Sequence, residues 1–181
     1  VYFCIMRKHN GMRPQDVAIL LKIVLKQDEQ WLNKDLSEEL FISPAEISES
    51  LHRSAMAGLI NSSKKKVHRQ TLLEFIEYGL HVVFPVIPGG LVNGVFTAHS
   101  HPFMQKHFKS DFHYVWPDVK GNERGLLIEP LYKDVVKAIR LNAQFYKVMA
   151  LLDVVRVGKA RELKVAIEEI DKILNKHEPS Y

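Results

Sequence analysis

Leu36-Ser-Glu-Glu-Leu40-Phe41-Ile42-Ser43-Pro44-Ala45-Glu46-Ile47-Ser48-Glu49-Ser50-Leu51-His52-Arg53-Ser54-Ala55-Met56-Ala57-Gly58-Leu59-Ile60 spells out two helices and the turn between them. Ser43 has the hydroxyl of a helix cap, and Pro44 stands where a first helical turn tolerates a missing N–H. Glu46, three residues after the cap, is expected to reach back to the free N–H of Ser43. A helix therefore starts at Pro44, carries Ile47 and Leu51 inward and stops near Gly58, which readily adopts the left-handed conformation that ends helices. Before it, Asn33 is expected to cap a shorter helix over 34–41 with Leu36 and Leu40 facing inward. After it, Leu59-Ile60 reads as a short strand, Asn61-Ser62-Ser63 as a turn, and Lys64-Lys65-Lys66-Val67-His68-Arg69 as a basic return.

Outward from this segment, Val17, Leu20, Leu21 and Val24 recur at i, i+3, i+4 and i+7 after Pro14, giving an amphipathic helix over 14–27. A further helix over 71–81 places Leu72, Phe75, Ile76 and Leu80 on one side. Residues 82–125 are rich in Gly and Pro turns, yet their Phe, Tyr and Trp residues carry enough apolar area for a packed, irregular segment rather than a tether. Tyr114-Val115-Trp116 and 125–128 are expected to pair as a small β-hairpin around a polar loop. Helices over 131–141, 143–155 and 159–176 complete the chain. The expected architecture is mainly α with a little β, divided into residues 12–80 and a helical extension, 81–181, that supplies packing, dimerisation or sensing.

The 181 residues hold 25 Lys and Arg against 21 Asp and Glu, with 46% apolar residues and a net charge of +4. That composition excludes a disordered or collagen-like chain, and the length permits a core without staples. A lone cysteine, Cys4, excludes an internal disulfide framework, and the apolar opening is too short for a signal peptide or anchor; a cytoplasmic setting without membrane attachment is expected. Val1 in place of Met points to Met6 or Met12 as the natural start.

The order helix, helix, Ser-Pro turn, helix, Gly-Leu-Ile and basic turn resembles a winged helix-turn-helix, closest to the bacterial multiple-antibiotic-resistance (MarR-like) regulators. The likeness rests on 36–40, Ile42-Ser43-Pro44, Ile47, Leu51 and 57–60, and it covers residues 14 to about 70. It implies sequence-specific binding of double-stranded DNA and transcription regulation by a homodimer. Helix 44–58 would enter the major groove, with Ser43, Pro44, Ala45, Ser48, Glu49, His52 and Arg53 at the DNA. A wing over 62–69 would set Lys64, Lys65, Lys66, His68 and Arg69 on phosphates. In the inter-helix turn Phe41 stands where these families often have Gly.

Other chemistry is thinly represented. His99-Ser100-His101 has the spacing of some metal sites, with Asp111 and His113 as recruits, but zinc needs three or four ligands and none is close in sequence. No nucleophile elbow, phosphate loop or cofactor motif is present. No catalytic residue, metal or cofactor is therefore assigned. Two alternatives to DNA regulation are a protein-interaction module forming the regulatory half of a two-protein system and a metal-dependent hydrolase built on His99 and His101.

Overall fold

Residues 11–27 and 29–175 are described by the computed structural model. Cys4 and both segments flanking this range, with the alternative start at Met6, lie outside the described residues. Helix α1 (Pro14–Lys26) opens with the Arg13 N–H donating to Asp16 Oδ2 at 2.8 Å. Every residue from Asp16 to Val24 is buried, so the helix is enclosed on all sides rather than on one stripe. The reason lies far along the chain: α8 (Ala143–Val157) and α9 (Ala160–Asn175) cover the face that α2 (Asn33–Leu40) and α3 (Pro44–Met56) leave open. Each Leu or Ile so enclosed contributes roughly 1.5–3 kcal/mol. α8 is likewise buried from Val148 to Val155, and its start is capped by Asn142 Oδ1 accepting from the Phe145 N–H at 2.8 Å. Residues from both sides of position 80 enter one buried cluster.

Several expected boundaries shift for local reasons. Asn33 is the first helical residue of α2 rather than its cap, because Asp35 Oδ2 accepts from the Leu32 N–H at 2.8 Å and starts the helix one residue earlier. The expected helix 71–81 runs from α4 (Arg69–Glu74) through a π turn (Phe75–Gly79) into α5 (Leu80–Val83). The expected helix 131–141 contracts to α7 (Val135–Ile139), because Leu131 and Tyr132 enter the core from a turn. Leu59-Ile60 forms only a single bridge, between Ile60 and Val67.

The small β-hairpin gives way to a closed three-stranded sheet. β1 (Leu91–Phe96) pairs antiparallel with both β2 (Tyr114–Pro117) and β3 (Glu123–Leu127), and those two pair parallel. Gly94 is opposite both Pro117 and Glu123, so the intervening loop carries the chain past Gly94 instead of reversing it. The crossing needs glycine, since a Cβ on Gly94 would lie 1.9 Å from the Trp116 carbonyl oxygen. A 3₁₀ turn (Ala98–Ser100) and α6 (Pro102–Gln105) link β1 to β2. The chain is thus a mixed α+β fold with helices predominant. No helix of the described residues is long and apolar enough to cross a membrane.

Candidate nucleic-acid interface

α3 begins as its sequence requires: the Glu46 N–H donates to Ser43 Oγ at 3.2 Å, and Pro44 occupies the first turn. Ile47, Ser50, Leu51 and Ser54 face the core. Ala45, Ser48, Glu49, His52 and Met56 form an exposed stripe at helical spacing, with Ser43 and Pro44 exposed at its beginning. Met56, 56% exposed, extends the stripe beyond the residues expected from sequence, although the same periodicity reaches it. Gly58 ends the segment with φ +73°, as expected of a left-handed cap.

Arg53 does not belong to this outer face. It is 4% exposed, and its guanidinium grips the fully buried Asp16 carboxylate, Nε to Oδ2 at 2.9 Å and Nη2 to Oδ1 at 2.7 Å. Nη2 also donates to Glu46 Oε1 at 2.7 Å. The hydrogen bond to Asp16 pushes the Arg53 pKa up, against the opposing effect of burial. Position 53 follows the buried Ser50 by three residues and so sits at the edge of the inner face, where the acid on α1 draws it in. Glu46 is redirected by the same pairing: its carboxylate accepts from Arg13, Gln15 and Arg53 rather than reaching back to Ser43.

The basic return is a tight loop closed by the Ile60–Val67 bridge. Asn61 Oδ1 accepts from the backbone N–H groups of Lys65 and Lys66 at 2.9 and 3.0 Å, and Lys64 takes up φ +58° at the tip. Its cations divide into two groups. Lys65 Nζ donates to the Trp31 carbonyl at 2.9 Å and lies 4.0 Å from the centre of the Trp31 ring. Arg69 donates to the Leu174 carbonyl at 2.7 Å, tying the loop to the end of α9 rather than to a ligand. His68 Nδ1 lies 2.8 Å from the Gly58 carbonyl. Lys64 is half-buried and Lys66 exposed, and neither side chain pairs with an acid among the described residues.

No family model, curated protein or solved structure matches the chain.

The histidines of the middle segment are separated by their partners. His99 Nε2 is 3.1 Å from the Phe112 carbonyl, with its ring 4.5 Å from that of Tyr114. His101 Nδ1 instead accepts from the Phe103 N–H at 3.1 Å, and its ring meets Tyr146 edge-on at 4.3 Å. Burial, with the Lys147 charge, pulls the His101 pKa down to about 4. Among the described residues no three His, Cys, Asp or Glu side chains are grouped to hold a metal ion. Beneath them Asp153 is fully enclosed, its Oδ2 accepting from Thr97 at 2.8 Å and Trp116 at 2.6 Å, and its Oδ1 from Arg156 at 2.7 Å. Burial raises its pKa despite these donors. This network fastens the sheet to α8. An open cavity of about 460 Å³ lies beside it, lined by Phe96, His99, Gln105, Phe108, Lys109, Ser110 and His113.

Proposed function

We propose that the chain is a sequence-specific regulator that binds double-stranded DNA as a homodimer, with residues 14–70 acting as a winged helix-turn-helix of MarR-like type. The observation that carries this reading is the uncovered stripe of α3 beside a cationic loop, in a chain whose α1 and α8 are enclosed. α3 lies in the major groove. Ser48 and His52 hydrogen-bond base edges there, and Glu49 accepts from a cytosine amino group. Lys64 and Lys66 take phosphates, which supply affinity without sequence preference. A two-fold dimer sets two such helices about 34 Å apart, matching successive major grooves.

The test is selection from random and genomic duplex fragments at two salt concentrations. Wild type is compared with Ser48→Ala/His52→Ala and with Lys64→Ala/Lys66→Ala. A two-fold symmetric sequence enriched by wild type and lost in the first variant supports the reading. The second variant should weaken all sequences alike. No enrichment, with only weak contact that vanishes as salt rises, sinks the proposal and moves the search to a protein partner.

A further inference from the structure

The turn between α2 and α3 is built on an uncommon residue. Phe41 holds φ +58°, a left-handed conformation that is a true outlier for a bulky side chain. Phe41 is 45% exposed, and Lys137 Nζ lies 5.8 Å from its ring centre. Lys137 belongs to α7, which packs on α2. The other end of α2 carries a similar pair, Lys65 over the Trp31 ring. The eight residues of α2 span about 12 Å, and the two cation–aromatic pairs stand at its two ends.

α7 and the turn before it are cationic on the outside. Lys137 and Arg140 are 63% and 50% exposed at their side chains. Lys133, exposed, precedes Lys137 by four residues. Two acids face them: Asp134 pairs with Lys137 at 2.6 Å, and Asp118 pairs with Arg140. In each pair the cation is the more exposed partner, the acids being 24% and 16% exposed at their side chains, and a phosphate would compete with them for it.

From this placement we infer that α7 adds a second phosphate-contacting edge to the DNA interface. Lys137, held over Phe41, is its central cation, with Lys133 beside it, at the other end of α2 from the loop that carries Lys64 and Lys66. This rests on the DNA-binding reading above. It assigns the second half of the chain a direct part in binding, and it gives a reason for Phe at a position that favours Gly: the ring steers the lysine toward the start of α3.

The test is fluorescence anisotropy with a labelled mixed-sequence duplex of about 30 base pairs, titrated between about 50 and 200 mM KCl. Each phosphate contact contributes about 0.9 to the slope of log affinity on log salt, or about 3.5-fold across this range. Lys137→Ala and Lys133→Ala should each lower the slope by about that amount, with unchanged circular dichroism and melting. Lys137→Arg should keep the wild-type slope. Lys164→Ala, on exposed α9 surface, serves as a charge control and should leave it unchanged.

If Lys137→Ala retains the full slope while Lys64→Ala/Lys66→Ala lowers it, the α7 edge is wrong and the DNA reading stands. Equal losses from Lys164→Ala and Lys137→Ala would reduce the effect to net charge and overturn the inference. Absence of salt-dependent binding by wild type removes both.

Discussion

Replacing Arg53 by Ala tests folding rather than recognition. The substitution leaves Asp16, fully buried, with the Arg13 N–H as its one hydrogen-bond partner among the described residues, in place of a two-pronged guanidinium. Removing one member of a buried ion pair costs about 3–5 kcal/mol, because the surviving charge is left uncompensated. Glu46 loses a donor as well, although it keeps Arg13 and Gln15 and is partly solvated. Against a total stability of about 5–15 kcal/mol for a native protein, the loss is a large fraction. Urea unfolding followed by the fluorescence of Trp31 and Trp116, both buried, reads it as a fall in midpoint at constant slope. Asp16→Ala should be comparably harmful, and Asp16→Ala/Arg53→Ala less so than the sum, since neither single variant retains the pair. Arg53→Lys should fall between, having one ammonium where two parallel hydrogen bonds were made. A loss below about 1 kcal/mol for Arg53→Ala, no larger than for the exposed His52→Ala, would refute the assignment. Any DNA defect of Arg53→Ala should be reproduced by Asp16→Ala, whose side chain cannot touch DNA.

Four further outcomes are expected. Gly58→Ala should destabilise by about 1–2 kcal/mol in thermal or urea unfolding through its left-handed backbone alone, because no atom lies within 4 Å of the added methyl. Gly94→Ala should be far more damaging, since the methyl would overlap the Trp116 carbonyl and open the sheet; near-ultraviolet circular dichroism and amide exchange of β1 report it. Acid should weaken the fold between about pH 6.5 and 4, where the unfolded chain takes up a proton that His101, held down to about 4, refuses. The loss is at most about 3 kcal/mol, and His101→Asn, which keeps an acceptor for the Phe103 N–H, should flatten the profile in that window. Glu39 acts lower: burial would raise it, but hydrogen bonds and charges from Lys22 and Lys26 outweigh burial, so its stabilisation is present above its unfolded value of 4.5 and fades as pH falls further. A wild-type profile flat from pH 6.5 to 5 would contradict the His101 assignment.

The helices were legible because their signals are local. Ser43-Pro44 and Gly58 each act within a few residues, and α1, α3, α8 and α9 stand within about two residues of their expected bounds. β1 was not legible, since Leu-Val-Asn-Gly-Val-Phe shows no clean alternation and its pairing depends on strands about twenty to thirty-five residues away. Charged residues inside apolar stripes were the overlooked signal. Asp16 leads the buried run of α1, Lys22 lies inside it, and Asp153 interrupts that of α8; each finds a partner on another element. A charge on an inner face requires such a partner, so Asp16 itself announced that a cation elsewhere was committed.

That commitment reshapes the proposed interface. The sequence offered five cations to DNA: Arg53, Lys64, Lys65, Lys66 and Arg69. Arg53 is consumed by the core, Arg69 is tied to α9, and Lys65 is fixed on Trp31. Phosphate affinity grows with the number of charges neutralised, so Lys64 and Lys66, even with Lys65, would make a weak clamp. If the chain binds DNA tightly, it needs further cations, and α7 brings Lys137 to the α2–α3 turn. Deleting positive charge from α7 while leaving Lys64 and Lys66 intact therefore asks whether, in the proposed DNA complex, the C-terminal half merely supports α3 or grips the duplex with it.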